Sequence, residues 1–275
     1  MSERVSRGGG SMPNATGEPP GQPSVVTVYA SIAPLHGEPR ASSPQISQRL
    51  AGHRLTVLAH DGAWLRVRGD DGYEGWMHRG YLRTPSNAPA GSTTKRLLSL
   101  GCVVRDATTG VTRALPLAAW ISSGESVISG EAVNAASHAR TFRKDQLSIA
   151  ATALERFAGT PYQWGGITPW GADCSGLVQT AYWLHRIMLP RDAWQQADAG
   201  VDAGRNIARL EPADLLFFRE RPDRRITHVG MGLGGSRMVH LALGRGGYAV
   251  ERLDDRDDPY VALLVERFVA ARRIV

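Results

Sequence analysis

DCSGLV, residues 173–178, is the stretch on which the reading of this chain turns. Asp and Ser ahead of an apolar run are residues that cap helix starts. Leu177, Val178, Ala181 and Leu184 then recur at helical spacing and form one face. Pro190 closes the run, so the pattern predicts a helix beginning at Cys174 or Ser175. Unpaired backbone N–H groups at a helix start carry about half a positive charge. That field favours a thiolate over a thiol. Gly176 is small and is expected to leave the approach to the sulfur open. Such a thiol is well placed to be a nucleophile, but a buried cysteine at a structural cap has the same appearance. The tetrapeptide alone leaves both open.

The histidines bear on that choice. His228 opens HVGMGL and His240 lies in RMVHLAL, with Gly234-Gly235 between them, which reads as a β-hairpin. Side chains alternate across a strand. A three-residue Leu233–Gly235 loop would put the two imidazoles opposite each other, and a two-residue Gly-Gly loop would put them on opposite faces. A shared face therefore needs an odd loop or a bulge. Two histidines on one face divide labour: one is the base and the other holds it in the right tautomer. The alternative is one strand histidine in solvent and one in the core. His36, His53, His60 and His78 fall among β runs, His138 near a boundary, and His185 near a helix end where its charge suits the dipole. One Cys and two His without a further ligand at metal-binding spacing make a poor zinc site, so no metal or other cofactor is expected.

Outward from this centre the chain divides. Upstream, Leu147, Ala150, Ala151, Leu154 and Phe157 predict a helix stopped by Gly159 and Pro161. Downstream, DLLFF, THVGMGL, RMVHLAL and YAVERL read as antiparallel strands, so residues 142–275 form an α+β domain. Residues 86–141 hold RLLSLGCVVRD, TRALPLAAWI and ESVISGEAV, a second set of short strands in which Cys102 is a core residue. Residues 23–85 hold VVTVYA, RLTVLAH, AWLRVRG and GYEGWMH between turn signals, a first small all-β unit. A Pro/Ser/Thr-rich linker follows at 85–94, and residues 1–22 have too few bulky apolar groups to fold.

Composition limits the function. The 275 residues are 42% hydrophobic and carry a net charge of +6. Nearly all the positive charge is arginine spread along the chain, Lys95 and Lys144 being the lysines, so no nucleic-acid partner is expected. Two cysteines are too few for a disulfide scaffold. Arg4 and Arg7 are not followed by an apolar stretch, and no run of 18 apolar residues occurs. No signal peptide or membrane partner is expected, and a cytoplasmic location follows unless a leader has been trimmed.

Five ordered blocks now carry a resemblance: GTPYQWGG (159–166), DCSGLV (173–178), PRDAWQQ (190–196), DLLFF (214–218) and HVGMGLGGSRMVH (228–240). Over roughly 145–275 the chain resembles the NlpC/P60 cysteine peptidases. The resemblance implies a papain-like fold, with Cys174 as nucleophile, His228 as base, His240 as the orienting residue and Tyr162 beside the oxyanion. GYEGW (72–76) with GYL (80–82) resembles a bacterial SH3 (SH3b) domain, and 86–141 is read as a second, divergent one. Two SH3b-like barrels before such a domain resemble the γ-D-glutamyl-L-diamino acid endopeptidases that recycle murein peptides. In that group the first barrel closes the cleft and selects a free N-terminal L-Ala. By this resemblance Asp192 binds the substrate amine beside Asp173, Ser175 and Trp164, with Tyr73 and Glu38 contributed by the barrel. Ala193 departs from the pattern, since such enzymes can carry Ser there. Surface charge and barrel core account for Glu38 and Tyr73 equally well. The implied partner is a murein-derived peptide, L-Ala-γ-D-Glu-diamino acid, acted on by a monomer. A secreted hydrolase of intact wall stems, and a thiol-dependent acyltransferase or amidase, fit the same residues.

Overall fold

The computed structural model describes residues 24–84 and 96–275. The expected tail at 1–22 and the linker at 85–94 lie outside the described residues.

The first unit contains β1 (Val25–Val28), β2 (Ile32–His36), β3 (Gln45–Leu50), β4 (Arg54–Asp61), β5 (Trp64–Arg68), β6 (Glu74–His78) and β7 (Leu82–Arg83). They form one sheet in the order β3-β2-β6-β5-β4-β1-β7, around Val28, Leu35, Leu55, Val67 and Met77. Four of these strands carry the alternating apolar pattern read from the sequence. β2 and β3 do not. Pro34 sits inside β2, where a proline ordinarily argues against a strand. It is tolerated because β2 meets β6 only at His36↔Trp76. β3 reads QISQRL, and its polar Ser47, Gln48 and Arg49 are buried.

The second unit is a four-stranded antiparallel sheet of β8 (Leu97–Asp106), β9 (Thr112–Leu115), β10 (Trp120–Ile121) and β11 (Glu125–Asn134), followed by α1 (Ala135–Thr141). Cys102 is buried in β8, its thiol donating to Ser99 Oγ at 3.3 Å. Leu98, Val104, Leu115 and Ile121 share one continuous apolar core with Phe142, Leu177 and Val239 of the last unit.

That last unit opens with α2 (Gln146–Arg156), capped by Asp145. Its packed stripe is Ile149, Ala153 and Phe157, spaced four apart, with Ala150. The expected face is turned accordingly, and Leu147 is 70% exposed. A short pair, β12 (Ile167–Thr168) and β13 (Gly171–Ala172), leads into α3 (Cys174–Leu184). This helix is buried along nearly its whole length, and it ends at His185 and the left-handed Arg186 rather than at Pro190. α4 (Ala193–Gln196) follows. β14 (Val201–Asp202), β15 (Pro212–Phe218), β16 (His228–Gly234), β17 (Arg237–Ala242), β18 (Gly247–Arg252) and β19 (Phe268–Arg273) form an antiparallel sheet ordered β14-β19-β15-β16-β17-β18, with α5 (Pro259–Glu266) before β19. Helices first and antiparallel strands later give the α+β arrangement. α3 packs on β16 and β17, which brings its first turn to the strands that carry the histidines.

Candidate active site

Cys174 is the first residue of α3 and is buried. Asp173 caps the helix, accepting from Gly176 N at 2.7 Å. Gly176 is required for packing, not for access: a Cβ there would meet Gly166 O at 2.0 Å. The Cys174 sulfur lies by the backbone N–H groups of Val229 and Ser175, and it makes no hydrogen bond to His228 in this resting arrangement. The expectation that the helix start ionises this thiol is corrected here. Burial, and then the nearby Asp173 carboxylate, push the Cys174 pKa up to about 12, against the smaller pull of those N–H groups and Arg191. His228 moves the other way, lowered to about 3 by burial and by His240. A desolvated thiol and a desolvated imidazole both resist charge, so the resting pair is neutral.

The hairpin solves the face problem with a bulge. Met231↔Val239 and Gly232↔Met238 share one register, which shifts before Gly234↔Arg237. Gly234 and Gly235 have φ of +91° and +57°, conformations that favour glycine. The extra residue, Leu233, puts His228 and His240 on the same face, diagonally rather than directly opposite. His228 Nε2 and His240 Nδ1 are 2.8 Å apart. Tyr162 comes from the loop after α2. Its phenol pKa is raised to about 12 by burial and then by Cys174, so it remains a hydrogen-bond donor beside the sulfur.

The first β unit reaches this site directly. The Tyr73 hydroxyl lies 3.2 and 3.4 Å from the two Asp192 carboxylate oxygens. Burial and the Asp192 charge raise the Tyr73 pKa to about 12, so the phenol donates and the carboxylate accepts. The Tyr73 loop is held by a buried ion pair, Arg49–Asp71 at 2.8 Å, with Asp71 Oδ1 accepting from Tyr73 N. Burial works against the Asp71 carboxylate, yet Arg49 keeps its pKa below the ordinary value. Gln179 of α3 donates to the same Asp71 at 3.2 Å, tying the barrel to the helix.

Three residues expected at the amine subsite already have partners in the free protein. Asp173 is occupied as helix cap and as counter-ion of Arg191, whose NH1 and NH2 reach its two oxygens at 3.0 and 2.7 Å. Ser175 accepts from Arg191 at 2.8 Å and donates to Asp173 at 3.2 Å. Both are buried and serve to hold the start of α3. Glu38 pairs with Arg40 at 2.8 Å at the surface, its side chain 58% exposed. Its charge is satisfied there by a neighbouring cation. Trp164 is 67% exposed, and its backbone carbonyl accepts from Gln45 of β3 at 2.9 Å. Ala193 opens α4 directly after Asp192 and is buried. His185, expected to carry charge at a helix end, is buried, and its pKa is lowered by that burial.

Two residues not singled out from the sequence matter here. Arg191 is fully enclosed, and besides Asp173 and Ser175 it donates through Nε to Ser47 of β3 at 3.0 Å. A clue was present: it precedes Asp192 within a motif, and a buried guanidinium needs a carboxylate such as Asp173. Glu251 on β18 lies 3.3 Å from His240 Nε2. Strand alternation could have flagged it, because it points inward while the apolar Val250 faces out at 37% exposure.

Known proteins can now be set beside this geometry. The NlpC/P60 family profile matches residues 159–260, and the bacterial SH3 domain profile matches residues 33–83. The chain carries an NlpC/P60 cysteine peptidase domain behind a bacterial SH3 domain. A protein of Bacillus cereus named gamma-D-glutamyl-L-lysine dipeptidyl-peptidase is 28% identical over 255 residues, covering 82% of this chain and 74% of that protein. Dipeptidyl-peptidase 6 of Lysinibacillus sphaericus is 27% identical over 261 residues, covering 85% of this chain and 93% of that one. The crystal structure of an NlpC/P60 family protein from Bacillus cereus superposes with a TM-score of 0.73, covering 91% of this chain and 99% of its own at 21% identity. That similarity extends the shared fold across the N-terminal units as well as the peptidase domain.

Proposed function

We propose that this protein is a cysteine endopeptidase that hydrolyses the γ-D-Glu–diamino acid bond of murein peptides with a free N-terminal L-Ala. The observation that carries the reading is the contact between Tyr73 of the SH3 domain and Asp192 of the peptidase domain. It closes one end of the cleft with an acidic group. A half-buried carboxylate beside a donor is suited to a substrate ammonium, which needs charge-assisted partners when desolvated. The wall also acts as a ruler, placing the scissile bond a fixed distance from the substrate's free end. The names of the relatives support this, since a dipeptidyl-peptidase releases two residues from a free terminus.

In the mechanism we infer, the Cys174 proton passes to His228 as the sulfur attacks the γ-carbonyl carbon of D-Glu. Charge builds on the carbonyl oxygen, where Cys174 N–H and Tyr162 O–H stabilise it. Loss of one such donor costs ~3 kcal/mol in typical sites. The His228 imidazolium then protonates the leaving amine of the diamino acid, giving an acyl-enzyme. Water, deprotonated by His228, attacks that thioester and releases L-Ala-γ-D-Glu. Such substrates are free wall fragments, which agrees with a recycling role in the cytoplasm for a monomeric enzyme.

The test is to incubate the protein with L-Ala-γ-D-Glu-meso-diaminopimelate, with its Lys counterpart, and with N-acetylated forms of both. Products are identified by mass spectrometry. Acetylation should lower kcat/KM by at least ~2 kcal/mol, because it deletes a buried charge-assisted hydrogen bond and adds bulk. Equal rates on free and acetylated peptides reject the free-terminus reading and favour a hydrolase of intact stems.

A further inference from the structure

The histidine pair does not end at His240. Glu251 is buried, and Oε1 lies 3.3 Å from His240 Nε2. Arg245 clamps the same carboxylate twice, Nε to Oε1 at 2.8 Å and NH2 to Oε2 at 3.1 Å. Arg245 also pairs with Asp258, which caps α5 by accepting from Tyr260 N at 2.8 Å. Tyr260 stands edge-on to His240 with ring centres 6.2 Å apart, and the Arg245 guanidinium lies over the Tyr260 ring, 4.3 Å from its centre. The groups facing His240 are thus His228, Glu251 with its Arg245 counter-ion, and Tyr260.

An ionised carboxylate only accepts hydrogen bonds. The His240 bond and the Arg245 clamp hold Glu251 below the usual carboxylate range, so it is ionised at neutral pH. Its partner, His240 Nε2, must therefore carry the proton. With His240 neutral, that is its one N–H, and His240 Nδ1 is an acceptor. The 2.8 Å contact then requires His228 Nε2 to be the donor. His228 is left with its lone pair on Nδ1, the nitrogen not engaged by His240. We propose that Glu251, locked by Arg245, is a positioning residue that sets the ring protons of both histidines and so leaves His228 Nδ1 as the free base. This rests on the reading that Cys174 and His228 perform the peptidase chemistry. In the attack step the thiol proton moves to His228 Nδ1, the new imidazolium donates from Nε2 to His240 Nδ1, and His240 keeps its own proton toward Glu251. No proton travels further.

The readout is independent of turnover. Long-range ¹H–¹⁵N spectra of the full chain labelled at histidine report which ring nitrogen is protonated. At pH 7 both His228 and His240 should appear as Nε2–H tautomers. A wild-type His240 with its proton on Nδ1 overturns the proposal. In Glu251→Gln the amide can donate or accept, so the lock is released. His240 and His228 should become tautomer mixtures, and kcat should fall roughly 10- to 100-fold with KM nearly unchanged. Unmixed tautomers with unchanged kcat in a folded Glu251→Gln also overturn it. If that variant does not fold, the wild-type spectrum decides. Absence of peptide cleavage by the wild type, with both rings in the stated tautomer, would sink the functional reading and leave the tautomer assignment standing.

Discussion

The two N-terminal β units meet the peptidase domain in opposite ways. The first presents polar groups: Ser47 to Arg191, Gln48 to the Ile167 amide, Asp71 to Gln179, and Tyr73 to Asp192. The second presents Leu98, Val104, Leu115, Leu117 and Ile121, merged with Phe142, Leu177 and Val178 in one apolar core, which Leu50 and Ala51 of the first unit also enter. Apolar packing is non-directional and tolerates repacking. A buried polar junction works only if every partner is in place. The second unit therefore supports the fold, while the first builds a wall with a defined chemical character beside the nucleophile.

The cysteines divide along the same line, and they give the largest contrast. Cys174→Ala should lower turnover by ~10⁴-fold or more, as removal of a nucleophile does, and leave the thermal melt close to wild type. Cys102→Ala sits in the apolar unit and should keep kcat/KM within about twofold, since only packing is removed. Steady-state assays with melts on both variants measure this. Loss of activity in folded Cys102→Ala with retention in Cys174→Ala would reverse the assignment.

The next contrast is between the junctions. Arg191→Leu leaves Asp173 buried without its counter-ion, which costs ~3–5 kcal/mol, and it loosens the cap of the nucleophile helix. Both stability and kcat should fall. Leu98→Ala in the second unit should cost ~2–5 kcal/mol by opening a cavity while leaving the ratio of rates on free and acetylated peptide unchanged. Denaturant melts paired with that ratio separate the two. A folded Arg191→Leu with wild-type rates would remove the polar junction from the account of the site.

A smaller effect concerns ionisation. With the Cys174 pKa raised to about 12 and that of His228 lowered to about 3, neither group titrates between pH 5 and 9 in the resting protein. Thiolate is the reactive form. Alkylation of Cys174 by iodoacetamide at pH 7 should be slower than that of a free thiol by roughly three orders of magnitude, the ratio of their thiolate fractions. The rate should climb with pH through 9 without a plateau. A plateau below pH 7, read by mass spectrometry of the labelled peptide, would show a standing thiolate–imidazolium pair instead.

Much of the peptidase domain was legible because its chemistry is local. The cap at Asp173, the helix after it and the His228/His240 hairpin all lie within short stretches whose periodicity is plain. The bulge at Leu233 was legible only as a condition, since a glycine pair permits either register. β3 was not legible: Ser47, Gln48 and Arg49 look like surface, and they are buried because the peptidase domain supplies partners to Ser47 and Gln48 while Asp71 of the same unit pairs with Arg49. Glu251 and Arg191 were missed for the same reason. Arg191 meets Asp173 across 18 positions and Ser47 across 144, while Glu251 meets His240 on the neighbouring strand, so in each case the pairing shows only once the elements are packed. Nor was it legible that Asp173 and Ser175, expected beside the substrate amine, would share Arg191 as a partner in the free protein.

The smallest effect tests the wall most directly. Tyr73→Phe removes one hydroxyl and nothing else. In the free protein Asp192 then loses a neutral donor, which on average is worth ~1 kcal/mol. The ring still fills its place against the barrel core, so the fold and the Arg49–Asp71 clamp should persist. If the hydroxyl only packs the domains together, the melt falls by that amount and substrate preference does not move. If it helps shape the amine subsite, KM for the free peptide should rise about fivefold while kcat stays near wild type. The acetylated peptide, which never used the subsite, should be cleaved at an unchanged rate. The discrimination between the two peptides therefore narrows by the same fivefold. Steady-state kinetics on both substrates reads the split, and an equal loss on both would assign Tyr73 to domain docking alone.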